Sequence, residues 1–229
     1  MPFSILFQRE LPHGLCVGVR LPEPSENAGE LALEQLGADE RAHAAGLPFR
    51  RRITWVGGRV ALHRALERAG QQAGAILATE RGAPSLPPGI AGSVSHKEGL
   101  AVALVAPAAG WRVGIDIERM RVPRAEIERH VLTEGERHEL TALRQEERWR
   151  EVLVRFSAKE AVYKALDPFV RRYVSFQEVA VRPEPEGGGR VQLALKGGEG
   201  PFQVEMGWEI DEHFVLTTAR VTPSKGSGR

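Results

Sequence analysis

Two short segments combine residue types and spacings that could handle a metal ion and phosphate groups. In RVGIDIERM, Val113, Ile115 and Ile117 alternate with Gly114, Asp116 and Glu118, and in a strand these two sets lie on opposite faces. Asp116 and Glu118 then point the same way, roughly 6.5–7 Å apart at their Cα atoms. Such a pair can converge on one hard cation. Magnesium suits it, since it takes oxygen ligands at about 2.0–2.1 Å and shares its shell with waters and substrate phosphate. A half-solvated strand with acidic residues outward has the same alternation, so DIE alone supports either reading. In FSAKEAVYKAL, Ala158, Ala161, Val162, Ala165 and Leu166 form an evident core stripe of a helix. Phe156, Lys159, Glu160, Tyr163 and Lys164 form the other stripe. An i,i+4 ion pair between Glu160 and Lys164 is ordinary, but two lysines, a carboxylate and two rings exceed what that pair needs.

Other chemistries are poorly represented. The histidines show no zinc-ligand spacing, and there is no GxxxxGK[ST] loop, no GxGxxG after a strand and no GxSxG elbow. His96, in SVSHKEG at a strand end, reads by itself as a surface or hydrogen-bonded histidine. Arg50–Arg52 open a helix, where positive charge opposes the dipole. That placement hints at anion binding, though a solvated charge run has the same appearance. A net charge of +1 over 229 residues argues against a protein that wraps polyanions. The single Cys16 excludes an internal disulfide and fits a reducing compartment. Neither a signal peptide nor an apolar run of membrane-spanning length is read, so a soluble, cytoplasmic protein is expected.

The elements that must position these residues follow from periodicity and turn chemistry. Short strands are expected at Phe3–Phe7 and Leu15–Val19, a helix from Glu26 to about Ala45, and a stronger helix at Arg50–Ala69. A short strand at Ala75–Ala78, a Gly/Pro-rich loop, and strands at Gly92–Ser95 and Leu100–Val105 follow. The second half opens on the strand WRVGIDIE. It continues with helices near Arg124–Leu132, Thr133–Arg144 and Glu147–Leu166, the last stopped by Asp167–Pro168. Strands at Val174–Val181, Val191–Leu195, Phe202–Ile210 and His213–Arg220 close it. RVALHRAL (Arg59–Leu66) aligns without gaps on KEAVYKAL (Lys159–Leu166), with Arg59 opposite Lys159 and Arg64 opposite Lys164. Together with the repeated element order, this predicts two related α+β halves, residues 1–111 and 112–221, and a loose tail at 222–229. Val60 stands opposite Glu160, so only the second copy carries the carboxylate.

Taken together and in order, the basic helix, GSVSH, GIDIE and FSAKEAVYK resemble the Sfp-type 4′-phosphopantetheinyl transferases, within them the enterobactin-synthetase-associated branch. The resemblance runs from about Arg50 to Phe176. It implies an α+β pseudo-dimer of two similar halves with coenzyme A in the cleft between them. It implies Asp116, Glu118 and Glu160 as magnesium ligands, Lys159 on a coenzyme A phosphate and Lys164 bordering the same site. Ser95 and His96 would meet the pyrophosphate or the 3′-phosphoadenosine end, with Arg51 and Arg59 at the 3′-phosphate. Many relatives carry a Lys before the Pro of the mid-chain loop; here Ala83 precedes Pro84, and Arg81 is the candidate replacement.

The reaction so implied moves 4′-phosphopantetheine from coenzyme A to a serine hydroxyl of an apo acyl or peptidyl carrier protein and releases 3′,5′-ADP. Several phosphate charges call for cations, and magnesium can stabilise charge moving onto the leaving group. The serine's base stays open between Glu160, a metal-bound water and His96. Arg119, Arg121, Arg124, Phe169 and Arg171 are candidate contacts for an acidic carrier, as is a plainly solvated loop. Fatty-acid, polyketide, nonribosomal peptide and siderophore carriers are all open, and a monomer is expected. A magnesium-dependent phosphohydrolase or nuclease would use the same carboxylates, and a non-catalytic coenzyme A binding module should have lost one of them. A nucleic-acid-binding module fits worst, given the near-neutral charge and the absence of a stacking aromatic stripe.

Overall fold

A computed structural model describes residues 3–120 and 125–224. Arg121 and Arg124 lie outside the described residues. The chain divides into two compact units, Met1–Ala109 and Gly110–Arg229, two residues earlier than the halves drawn from the sequence.

The first unit contains strands β1 (Ile5–Leu11) and β2 (Gly14–Arg20), helices α1 (Glu26–Leu33), α2 (Ala38–Ala45) and α3 (Phe49–Arg68), and strands β3 (Ile90–Lys97) and β4 (Leu100–Pro107). The strands form an antiparallel sheet in the order β1-β2-β4-β3. Helix α3 lays Ile53, Val56, Leu62 and Leu66 into the core with Val17, Val19 and Ala103. The single helix expected to Ala45 is two. Ser25 caps the first through Ala28 N, and Gly37, extended at φ −65° and ψ 172°, starts the second. The strand expected at Ala75–Ala78 is only a bridge, Ala78 to Pro84, closing a turn with Arg81 near its tip. Thr79 N donates to Ala83 O and Ser85 N to Leu77 O, both at 2.8 Å, so the segment pairs with itself and joins no sheet.

The second unit contains β5 (Arg112–Arg119), α4 (Ala125–Val131), α5 (Glu134–Glu139), α6 (Gln145–Val170), a 3₁₀ turn (Phe176–Glu178), and β6 (Val179–Pro183), β7 (Gly189–Leu193), β8 (Phe202–Ile210) and β9 (Phe214–Pro223). Two antiparallel sheets result, β5-β9-β8 and β6-β7. Helix α6 runs past Pro168, contrary to expectation, and ends at Arg171, which turns left-handed at φ 53°. Proline costs a helix one N–H donor and crowds the preceding turn. Here that falls in the last turn, where Val170 is still buried in the core. The strand expected from Val174 begins five residues later, because Ser175 and Glu178 close a capping box around the 3₁₀ turn. Strand β9 runs two residues into the expected tail, of which 225–229 lie outside the described residues. Among the described residues no helix is long and apolar enough to cross a membrane.

Glu178 anchors this part of the unit, accepting from Arg172, Ser175 N at 3.0 Å and Lys196 N at 2.9 Å. The Arg172 hydrogen bond above all holds its carboxyl down at about 2, against an ordinary 4.5. Stability from such a carboxylate is full above the unfolded pKa and is lost as pH falls through the folded one. The protein should therefore lose stability from pH 4.5 down to about 2. Glu178→Gln should flatten that part of an acid-unfolding curve followed by circular dichroism.

Candidate active site

Strand β5 and helix α6 meet at unusually close range. A Cβ on Gly114 would lie 1.9 Å from the carbonyl oxygen of Ala161 and 3.1 Å from Ala165 N. This is why the GIDIE segment needs glycine, and it shows that the Gly114–Asp116–Glu118 face is turned toward α6. Asp116 is 4 % exposed and Glu118 9 %. Burial of both carboxylates removes the reading of outward acidic residues on a solvated strand. Ser157 Oγ donates to Asp116 Oδ2 at 3.0 Å and lies 2.9 Å from Thr217 Oγ1, while Lys164 Nζ donates to Asp116 Oδ1 at 2.8 Å and to Ile115 O at 2.9 Å. The sequence pairs Lys164 with Glu160 along the helix; the structure gives it to Asp116 across the packing interface.

Glu160, half-buried and one turn before Lys164 on α6, borders a pocket of about 60 Å³ with Lys159, Tyr163, Tyr173, Val174, Ser175, Phe176 and Val179. Tyr163 and Tyr173 meet edge to face, 5.9 Å apart at their centroids, and Tyr173 is 67 % exposed. The pocket is thus mostly apolar, with a carboxylate at its border. All-oxygen donors from Asp116, Glu118 and Glu160 have the chemistry for magnesium. The side chains are not closed on one point: among the described residues, no three His, Cys, Asp or Glu form a group that could hold a metal ion.

Lys159 departs most from expectation. Its side chain is 0 % exposed, and its three protons go to Glu136 Oε2 at 2.6 Å, Val131 O at 2.7 Å and Phe176 O at 3.1 Å. Burial pushes its pKa down, and the Glu136 carboxylate opposes that shift. In this arrangement nothing is left over for a phosphate. The second stripe is split, since α6 packs on the sheet and also on α4 and β6, and reaches α5 through the Lys159–Glu136 bond.

In the first unit, Arg51 Nη1 lies 3.3 Å from His96 Nε2, bringing together two predicted phosphate contacts 45 residues apart. A guanidinium only donates, so Nε2 is the accepting nitrogen. Val94 faces α3, because a Cβ on Gly58 would meet its Cγ2 at 2.9 Å. His96 shares that face by alternation, and Ser95 turns to the other, so the two do not act as neighbours. Arg59 is 3 % exposed, stacks 4.3 Å over Trp55 and donates through Nε to Ile76 O. Burial pushes its pKa down to about 10, with Glu40 opposing. Arg81 is exposed on its turn. Of the carrier candidates, Arg119 stacks 5.6 Å over Phe214, and Phe169 packs on Phe202 at 5.7 Å.

Three working residues escaped sequence reasoning. Ser157 lies inside the FSAKEA segment, but a serine one turn before a lysine carries no period-based signal. Glu136 completes a Thr-x-x-Glu capping box with Thr133, a visible signal that points only to a helix start. Glu40 accepts from His63 Nε2 at 2.9 Å and Ile76 N at 2.8 Å. It accepts from Ile76 N as Glu136 Oε1 accepts from Val181 N at 2.7 Å, and its charge acts on the buried Arg59 without a hydrogen bond to it.

Comparison with known proteins agrees with this layout. Residues 112–219 match the family model of the 4′-phosphopantetheinyl transferase superfamily, and 39–106 match that of the 4′-phosphopantetheinyl transferase N-terminal domain. Over 202 residues the chain is 33% identical to the 4′-phosphopantetheinyl transferase Svp of Streptomyces mobaraensis, spanning 82% of this chain and 80% of that protein. The chain belongs to the 4′-phosphopantetheinyl transferase superfamily. Another member, Npt of Nocardia iowensis, is 33% identical over 178 residues, 74% of this chain and 73% of that one. Among solved structures, a holo-(acyl-carrier-protein) synthase from Bacillus anthracis in complex with CoA (3′,5′-ADP) covers 49% of this chain and 96% of its own, at 25% identity and a TM-score of 0.39. For this transferase superfamily member, the three sequence motifs fall at β3, the β5–α6 contact and the pocket border.

Proposed function

We propose that the protein transfers 4′-phosphopantetheine from coenzyme A to a serine hydroxyl of an apo acyl or peptidyl carrier protein. The observation that carries the reading, in a member of this superfamily, is the buried Asp116–Glu118 strand face set against the Ser157–Lys164 stripe of α6. The serine oxygen bonds to the phosphorus that bears the pantetheine arm, the bond from that phosphorus to the bridging oxygen breaks, and 3′,5′-ADP departs with that oxygen. The serine proton leaves to a base. Magnesium held by Asp116, Glu118 and Glu160 would neutralise charge on the pyrophosphate oxygens. Lys164, anchored by Ile115 O and Asp116, spends two of its three protons there and presents its remaining charge to phosphate. Arg51 and Arg81 supply cations for the other phosphate groups, and His96, on the same side of β3 as Arg51, is the strand contact. His96 accepts from Arg51, which ties up its Nε2 lone pair and favours Glu160 over it as the group on which transfer depends.

The apolar pocket beside Glu160 suits the neutral pantetheine arm rather than a phosphate. Tyr163→Ala should raise KM for coenzyme A about tenfold, the equivalent of one aromatic contact of about 1.4 kcal/mol. Inhibition by 3′,5′-ADP, which has no arm, should be unchanged. The parent reading is tested by incubating the protein with coenzyme A, magnesium and apo carrier domains, then weighing the carriers by mass spectrometry. A phosphopantetheine mass gain is expected, and none across several carriers would end the proposal. The carrier is to be sought among fatty-acid, polyketide, nonribosomal peptide and siderophore systems.

A further inference from the structure

The pocket has two walls that are far apart in sequence. One is the α6 turn of Lys159, Glu160 and Tyr163; the other is the Tyr173–Val179 segment. Van der Waals contact alone would let them slide, yet a buried ion pair crosses between them. Lys159 Nζ reaches Phe176 O at 3.1 Å, in the middle of the second wall, and binds Glu136 Oε2 at 2.6 Å. Glu136 Oε1 takes Val181 N at 2.7 Å, just past the C-terminal end of that wall, and Oε2 also takes Thr133 N at 2.7 Å. Val131 O completes the lysine's shell, Gln177 Nε2 donates to His130 O and Leu132 O at 3.1 Å, and the Phe156 and Phe176 rings meet at 5.7 Å. The carboxylate and ammonium therefore bolt α6, the start of α5, and the middle and C-terminal flank of the wall into one assembly. Lys159 immediately precedes Glu160 in the helix.

We infer that Glu136 is a positioning residue which, acting through Lys159, sets the spacing of the two pocket walls and so seats the substrate arm beside Glu160. This rests on the transferase reading above. Glu136 itself lies outside the pocket lining. Glutamine at 136 keeps the shape but offers an amide in place of one oxygen, so Lys159, Thr133 N or Val181 N must lose an acceptor. Aspartate keeps the charge and draws it back by one methylene, which should move the wall rather than unmake it.

The test is steady-state transfer to an apo carrier by wild type, Glu136→Gln and Glu136→Asp, with 3′,5′-ADP inhibition measured on each at a temperature where circular dichroism shows all folded. KM for coenzyme A should rise at least tenfold in both variants while the inhibition constant of 3′,5′-ADP stays within twofold. Glu136→Asp decides the matter if Glu136→Gln proves insoluble. A lowered melting temperature with unchanged KM and kcat overturns the inference, because the pair would then serve stability alone. Parallel loss of coenzyme A and 3′,5′-ADP affinity overturns it as well. A wild-type protein that transfers nothing in this assay strikes instead at the function proposed above.

Discussion

Replacing Glu160 by alanine is expected to reduce phosphopantetheine transfer at least 10³-fold while leaving the fold intact. A ligand that helps neutralise a pyrophosphate is worth several kcal/mol in the transition state, and about 4 kcal/mol corresponds to that factor. Stability should barely change, since Glu160 is only half-buried at the pocket border and alanine is the best helix former. The matched control is Glu205→Ala. That residue pairs with Arg220 at 2.5 Å on the partly exposed face of β8 and should retain wild-type activity. Magnesium dependence gives an independent reading, because the metal concentration for half-maximal transfer should rise in any Glu160 variant with residual activity, such as Glu160→Gln. Equal activity in Glu160→Ala and Glu205→Ala would contradict the assignment of the metal carboxylate.

Gly114→Ala is the second large effect, and it works through packing. The new methyl would sit 1.9 Å from Ala161 O and 2.9 Å from its carbonyl carbon, both helix backbone. No rotamer relieves that, so α6 must lift from β5. Overpacking of this kind costs about 3 kcal/mol or more. For a chain of this size that lowers the melting temperature by roughly 6–12 °C. Lifting the helix also pulls Ser157 and Lys164 away from Asp116, which they reach at 3.0 and 2.8 Å, so activity should fall even below the new melting point. Gly37→Ala is the comparison: a Cβ there meets nothing within 4 Å, and its loss should stay within about 1 kcal/mol. Similar melting temperatures for the two variants would show that the β5–α6 approach is looser than the structure has it.

The parts of the site that could be read directly share one property: their signal is local and periodic. Asp116 and Glu118 stand at i and i+2 on a strand, and Glu160 and Lys164 at i and i+4 on a helix. The strand and helix supply the same spacing in any fold, so those residues were visible without coordinates. Element boundaries were less legible where capping or self-pairing competes with propensity. Gly37 divides one expected helix, and the 77–85 segment satisfies its backbone in a turn.

Burial of charge was invisible for a different reason. A helix pattern is usually read as one buried face and one wet face, and Lys159 was placed on the wet one. Helix α6 is covered on two sides, by the β5–β9 sheet and by the α4 and β6 segments, so a lysine on the seeming polar stripe ends at 0 % exposure. Arg59, its counterpart in the first unit, is buried in the same way.

By itself, then, the amino-acid order determined the α+β elements, the duplicated helix, the strand carboxylates and the presence of Glu160 in only one copy. These follow from local spacing, turn residues and side-chain chemistry. Only the tertiary structure decided that Lys164 belongs to Asp116, that Lys159 is held by Glu136, and that Ser95 and His96 face apart. Each of those depends on which segments meet across 20 to 50 residues of chain, or on which face of a strand a helix covers. No local period encodes that, because it is set by the packing of whole elements around a shared core.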